Sequence, residues 1–191
     1  MEEFKKNKVA VLFATTASED VLIQKMKTFS LNYEDIPFAY TTTKEIIDNL
    51  EITNKYGFVV FRDFDDGNKY LVLDELNDFQ GFKQFFDSVR YPIVMEFDQA
   101  AAERIFGSQR SAMIYFSDEK DSGYETFKEF AKKHVNRIYF SHSSITKELG
   151  ARLSEFIGIT PQDKGTIRVI KFNEGNLDKF KVNGDSVESL E

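Results

Sequence analysis

Apolar residues in this chain fall into short unbroken runs that alternate with helical stripes. Val9-Ala10-Val11-Leu12-Phe13 predicts a strand, and Leu22, Met26 and Phe29 at i, i+4 and i+7 predict a helix. Ile36-Pro37-Phe38 predicts a second strand, residues 42–50 a second helix, and Gly57-Phe58-Val59-Val60-Phe61 the first arm of a hairpin. The hairpin turns through Asp63-Phe64-Asp65-Asp66-Gly67 and returns along Lys69-Tyr70-Leu71-Val72. Phe79, Phe82, Phe85, Phe86 and Val89 then form a strong amphipathic stripe, with Asn77-Asp78 placed as its cap.

The pattern repeats. Gly165-Thr166-Ile167-Arg168-Val169-Ile170-Lys171-Phe172-Asn173-Glu174-Gly175 matches Gly57 to Gly67 at an offset of 108, and Leu177 to Val182 supplies the second return strand. Ala112 to Phe116 corresponds to Val9 to Phe13, and Ile138-Tyr139-Phe140 to Ile36-Pro37-Phe38. Tyr124, Phe127, Phe130 and Ala131 mark one helix of the second copy, and residues 146–157 another. The second copy also carries an earlier strand and helix between Ile93 and Gly107. Each half thus reads β-α-β-α-β-β-α, an α/β arrangement with a mixed sheet and helices on both faces. The first copy is expected to lack its opening strand and the second its last helix, so both ends of the chain read as cut. Pro92 ends the Phe-rich helix, which sets the boundary between a domain at 1–91 and a closely coupled one at 92–191.

Composition narrows the chemistry. There is no cysteine, which excludes disulfides, a CxxC redox pair, a thiolate nucleophile and a Cys-built zinc site. The balance of 25 Lys+Arg against 32 Asp+Glu, net −7, argues against nucleic acid, and no apolar run approaches a membrane span. Lys5-Lys6 and Lys132-Lys133 sit beside acids and read as solvated helix surface. The 20 Phe and 8 Tyr, with no Trp, imply either densely aromatic cores or aromatic surface left over for a ligand.

Candidate polar chemistry is thin. Asp63, Asp65 and Asp66 lack the ligand spacing of a calcium loop, since Arg62, Phe64 and Leu73 stand where oxygen ligands are needed. His134 ends a helix, where a cation is electrostatically favourable. His142 lies between Ser141 and Ser143, but neighbours on a strand point to opposite faces, which argues against a Ser-His pair. No phosphate-cradling loop, metal cluster or cofactor motif is present, so no cofactor is expected. Leu149, Leu153, Phe156 and Ile157 share one helix face, which by spacing alone reads as core.

Several stretches resemble the two middle thioredoxin-like domains, b and b′, of protein disulfide isomerases. They are Val59 to Gly67, Tyr91-Pro92-Ile93-Val94-Met95-Glu96-Phe97, Arg104-Ile105-Phe106-Gly107, and Arg152 to Ile159. They occur in the family's order across most of the chain. The resemblance implies two tandem thioredoxin-like domains without redox chemistry, residence in the endoplasmic reticulum lumen, and flanking catalytic domains outside this chain. It also implies an apolar pocket for unfolded polypeptide in the second domain, lined at positions corresponding to Phe97, Phe106, Leu153 and Phe156. Two departures stand out: the polar Ser141-His142-Ser143 strand is expected to make one pocket wall more polar, and Gly165 stands where thioredoxin folds often carry a cis-proline. A chaperone-type binding segment is therefore the first reading. The alternatives are a pure scaffold, or an acidic calcium buffer of the calsequestrin type; a net charge of −7 with acids interspersed among Lys and Arg is mild for the last.

Overall fold

The computed structural model describes residues 7–16, 21–52, 56–73, 79–135, 137–173 and 176–182. The chain divides into two compact units, Met1–Pro92 and Ile93–Glu191. The first contains β1 (Val9–Thr15), α1 (Val21–Ser30), β2 (Phe38–Thr41), α2 (Lys44–Asn49), β3 (Tyr56–Arg62), β4 (Lys69–Leu73) and α3 (Phe79–Val89). The second contains β5 (Val94–Glu96), α4 (Gln99–Ser108), β6 (Ala112–Phe116), α5 (Ser122–His134), β7 (Tyr139–Ser143), α6 (Glu148–Ile157), a 3-10 turn (Pro161–Asp163), β8 (Thr166–Asn173) and β9 (Asn176–Lys181). The cap at Asn77-Asp78, the turn at Glu174-Gly175, the lysines at 5 and 6 and the last turn from Ser186 lie outside the described residues.

Both sheets are mixed. Their orders are β2-β1-β3-β4 and β5-β7-β6-β8-β9, with parallel pairing at β1–β2, β5–β7 and β6–β7 and antiparallel pairing elsewhere. The continuous apolar strands follow from burial on both faces. In the first unit Val11, Phe13, Phe58 and Val60 meet Leu22, Met26 and Phe29 of α1 and Phe82 and Phe86 of α3. Ala10, Leu12, Ala14, Val59 and Phe61 meet Ile47 of α2 and Ile52 on the opposite face. In the second unit Met113, Tyr115, Phe140 and Ile167 pack under Tyr124, Phe127 and Ala131 of α5.

These faces correct the alignment of the repeat. Val11 and Phe13 lie under α1, and their counterparts under α5 are Met113 and Tyr115, one residue short of the match drawn from sequence. The hairpins slip the other way: Phe58 and Val60 correspond to Ile167 and Val169. The cause is the pair of glycines used as anchors. Gly57 lies inside β3 opposite Ala14, where a Cβ would come within 2.6 Å of Ile52. Gly165 precedes β8 at φ +81° and is chosen for its backbone. The two slips cancel in strand pairing, so register survives while every side chain changes face.

Candidate functional site

Strand alternation sends β8 residues Ile167 and Val169 toward α5, so Arg168, Ile170 and Phe172 face the other side. That side carries α4 and α6. The Phe106 ring, on α4, meets Phe172 edge-on at 5.9 Å and Phe97 at 6.4 Å. Helix α4 is held by Asp98, whose carboxylate accepts from the Ala101 amide at 2.9 Å. Helix α6 approaches β7 through Gly150, where a Cβ would stand 2.4 Å from the Ser144 carbonyl and 3.0 Å from Ser143 Oγ. The loop before α6 is tied by Asp118, which accepts hydrogen bonds from the amides of Ile145 and Thr146 and the hydroxyls of Ser144 and Thr146. The Ser144 bond is the largest influence on Asp118, and with the others it holds that carboxyl down at about 2.

The four expected pocket residues are thus placed differently from one another. Phe97 and Phe106 are in contact and half-buried. Leu153 is buried, and Phe156 is 54% exposed. Lys179, on β9 opposite Ile170, sets its ammonium 3.7 Å from the Phe156 ring centroid and donates to the Phe156 carbonyl at 2.6 Å. Sequence reasoning missed Phe172 and Lys179. The alternation of Arg168, Ile170 and Phe172 was the available signal, but the slipped repeat had matched Phe172 to Phe64 in the first hairpin's turn.

The polar strand divides between the two faces. Ser141 and Ser143 are buried on the α4/α6 side, and their hydroxyls donate to the Met95 and Ser144 carbonyls. His142 points the opposite way, 5.1 Å from Tyr124 and 6.2 Å from Tyr115, so it forms no wall of the expected pocket. Its Nδ1 lies 2.8 Å from Glu96, and its Nε2 is buried without a hydrogen-bond partner. Half-burial alone would raise the Glu96 carboxyl, but hydrogen bonds from His142 and Lys120 outweigh it and hold the group at about 2. Burial, with the Asp121 carboxylate 2.7 Å away, pushes the Tyr115 phenol up. Among the described residues no group of three or more His, Asp or Glu side chains is set to hold a metal ion, and no helix is long and apolar enough to cross a membrane. Asp66, in the acidic turn, is engaged by Arg62 and Lys69.

A mixed sheet with helices on both faces, built twice and carrying no cysteine, defines the redox-silent branch of one α/β class. The profile of the thioredoxin-like domain family matches residues 15–191, and the chain belongs to that family. It is similar to the protein disulfide-isomerase of Drosophila melanogaster, 28% identical over 201 residues that cover 100% of this chain and 39% of that protein. The protein disulfide-isomerase of Gallus gallus is 26% identical over 177 residues, covering 88% of this chain and 34% of the relative. The chain therefore spans well under half the length of these relatives. Among solved structures, the bb fragment of ERp72 matches with a TM-score of 0.66 at 14% identity, covering 99% of this chain and 88% of that one. Human ERp44 matches at 0.61 and 14% identity, covering 96% and 52%. These findings bear out the resemblance to protein disulfide isomerases and the fold of two tandem thioredoxin-like domains. With no cysteine there is no thiolate to exchange with a disulfide, so the chain itself is redox-inactive.

Proposed function

We propose that this chain is the substrate-holding segment of a disulfide isomerase of the endoplasmic reticulum lumen. Residues 1–91 are its b-type domain and 92–191 its b′-type domain. Unfolded or partly folded polypeptide rests on the α4/α6 face of the second domain, beside catalytic CxxC domains outside this chain. The observation that carries the reading is the row Phe97, Phe106 and Phe172, joined on the same face by Phe156 at 54% exposure. Rings left part-covered on a helix-lined sheet face suit apolar segments with little sequence preference. Full burial of an apolar side chain is worth about 1.5–3 kcal/mol, so two or three contacts less association costs give roughly micromolar to millimolar affinity.

A scaffold that only spaces catalytic domains is the second reading, favoured by Lys179, which already caps the Phe156 ring. NMR titration with an apolar peptide decides between them. Binding should shift signals around residues 97–106 and 153–172, and Phe156→Ala should weaken it more than Tyr70→Ala, an exposed aromatic of the first unit. No shift at millimolar peptide, or equal effects of the two variants, rejects the binding reading in favour of the scaffold.

A further inference from the structure

The α4/α6 face of the second unit is bordered by a row of β9 side chains that runs from apolar to cationic. Residues directly opposite across an antiparallel pair share a face, and Arg168, Ile170 and Phe172 stand opposite Lys181, Lys179 and Leu177. Leu177, Lys179 and Lys181 therefore follow one another along the outer margin of that face, at steps of about 7 Å. At the apolar end Leu177 pairs with Phe172, which the Phe106 ring meets at 5.9 Å. At the other end the exposed Lys181 stands opposite Arg168.

The acids of this hairpin and its approach do not offset the row. Asp178, between Leu177 and Lys179, turns to the opposite face with Lys171 and accepts a hydrogen bond from Asn173. Asp163 accepts from the Thr160 amide and hydroxyl at 2.9 and 2.7 Å. Among the described residues no acid forms an ion pair with Lys179 or Lys181. Lys179 is also held in place, by the Phe156 ring beneath its ammonium and by its bond to the Phe156 carbonyl. An ammonium carries three protons, so that bond leaves two for a carboxylate. A charge fixed beforehand loses less freedom when its partner arrives.

We propose that the α4/α6 face selects apolar segments that carry an acidic side chain beside their apolar core. The inference rests on the proposed holding of polypeptide there, and adds the charge of the segment that is held. Apolar side chains cover Phe106, Phe172 and Leu177, and the acid meets Lys179 and Lys181 farther along the margin. A segment with Lys or Arg at that place meets like charge and is disfavoured. The chain as a whole is acidic, at net −7, so attraction of an acidic segment has to come from these local cations.

The probes are three capped peptides with one short core of leucine and phenylalanine, flanked at each end by two aspartates, two asparagines or two lysines. Each is titrated into the whole labelled protein at low salt. The aspartate peptide should bind about fivefold more tightly than the asparagine peptide, the gain of two exposed ion pairs, and the lysine peptide most weakly. Its shifts should include the Phe156, Lys179 and Lys181 amides, and its advantage should vanish in about 1 M salt. Lys179→Glu should make the lysine peptide the tighter of the two charged ones. Lys171→Glu changes the net charge equally on the opposite face of the same hairpin, and should leave the order as it was. The inference is overturned if the asparagine peptide binds this face as tightly as the aspartate one, which leaves the holding of apolar segments intact. It is overturned equally if Lys179→Glu keeps the order, or if Lys171→Glu changes it as much. If none of the three binds at millimolar concentration, the holding of polypeptide falls and the inference falls with it.

Discussion

Glu96→Gln tests the polar cluster at the end of β5. The carboxylate accepts from Lys120 Nζ at 2.5 Å and lies 2.8 Å from His142 Nδ1, so the substitution keeps an acceptor of the same shape and removes the charge. Half-burial works against the charge, but the two hydrogen-bonding partners carry the carboxyl from 4.5 down to about 2. A drop of that size is nominally worth about 3 kcal/mol of folded-state preference for the ionised form. The Glu96 side chain is 54% exposed, however, and solvent screening reduces this to ~1 kcal/mol.

The sign follows from the direction of the shift. A folded-state value below the unfolded one stabilises the fold fully above about 4.5, and that contribution is lost as pH falls through about 2. Glu96→Gln should therefore be less stable than the parent by ~1 kcal/mol at pH 7 and low salt. The gap should close between pH 4.5 and 2, and should shrink in about 1 M salt, where the Debye length is near 3 Å. Urea unfolding followed by amide signals of residues 93–182 separates this unit from the first. A gap that stays constant from neutral pH down to about 2 would refute the electrostatic account and assign the effect to shape. A more stable variant would mean that burial outweighs both partners.

Two further substitutions probe packing. Phe82→Ala removes a fully buried ring that stacks on Phe58 at 4.3 Å and meets Phe29 edge-on at 5.4 Å, and should cost the first unit roughly 3–5 kcal/mol in urea unfolding while the second unit's transition stays in place. Gly150→Ala gains up to ~1 kcal/mol of helix propensity, but it drives a Cβ against the Ser144 carbonyl, main chain that cannot rotate away. Net destabilisation of roughly 1–2 kcal/mol is expected, with loss of exchange protection in α6, and a more protected helix would show that α6 approaches β7 less tightly than described.

Strand and helix order was legible because runs and stripes are local signals. The Phe-rich helix and the apolar β1 and β3 needed no knowledge of the fold. Face was less legible. A repeat anchored on Gly57 and Gly165 equates a strand residue with one that precedes a strand, and a one-residue slip exchanges core for surface. This is why Phe172 escaped notice. His142 was rightly separated from its serines by strand alternation, yet nothing local could show that it is the serines which face α6. The contacts of Lys179 with Phe156 join residues on different elements, and only packing brings them together.

The aromatic surplus resolves differently in the two units, and the difference bears on where a ligand gains most. In the first unit Phe13, Phe29, Phe58, Phe82 and Phe86 are buried in a single layer of stacked and edge-on rings. Their transfer from water already contributes to folding, and a ligand could reach them only by opening that layer, at a cost on the scale of a core cavity. On the α4/α6 face of the second unit, Phe97, Phe106 and Phe156 keep part of their surface in solvent. A ligand covering them removes that surface from water without unfolding anything. Its competitor is Lys179, whose exposed cation–π contact is worth about 0.5–1 kcal/mol and whose hydrogen bond about 0.5–1.5 kcal/mol. One well-buried apolar side chain, at about 1.5–3 kcal/mol, matches or exceeds that. On the proposed reading, Lys179 would therefore weaken the face as a binding surface without closing it, and would place a positive charge where a bound segment meets the rim.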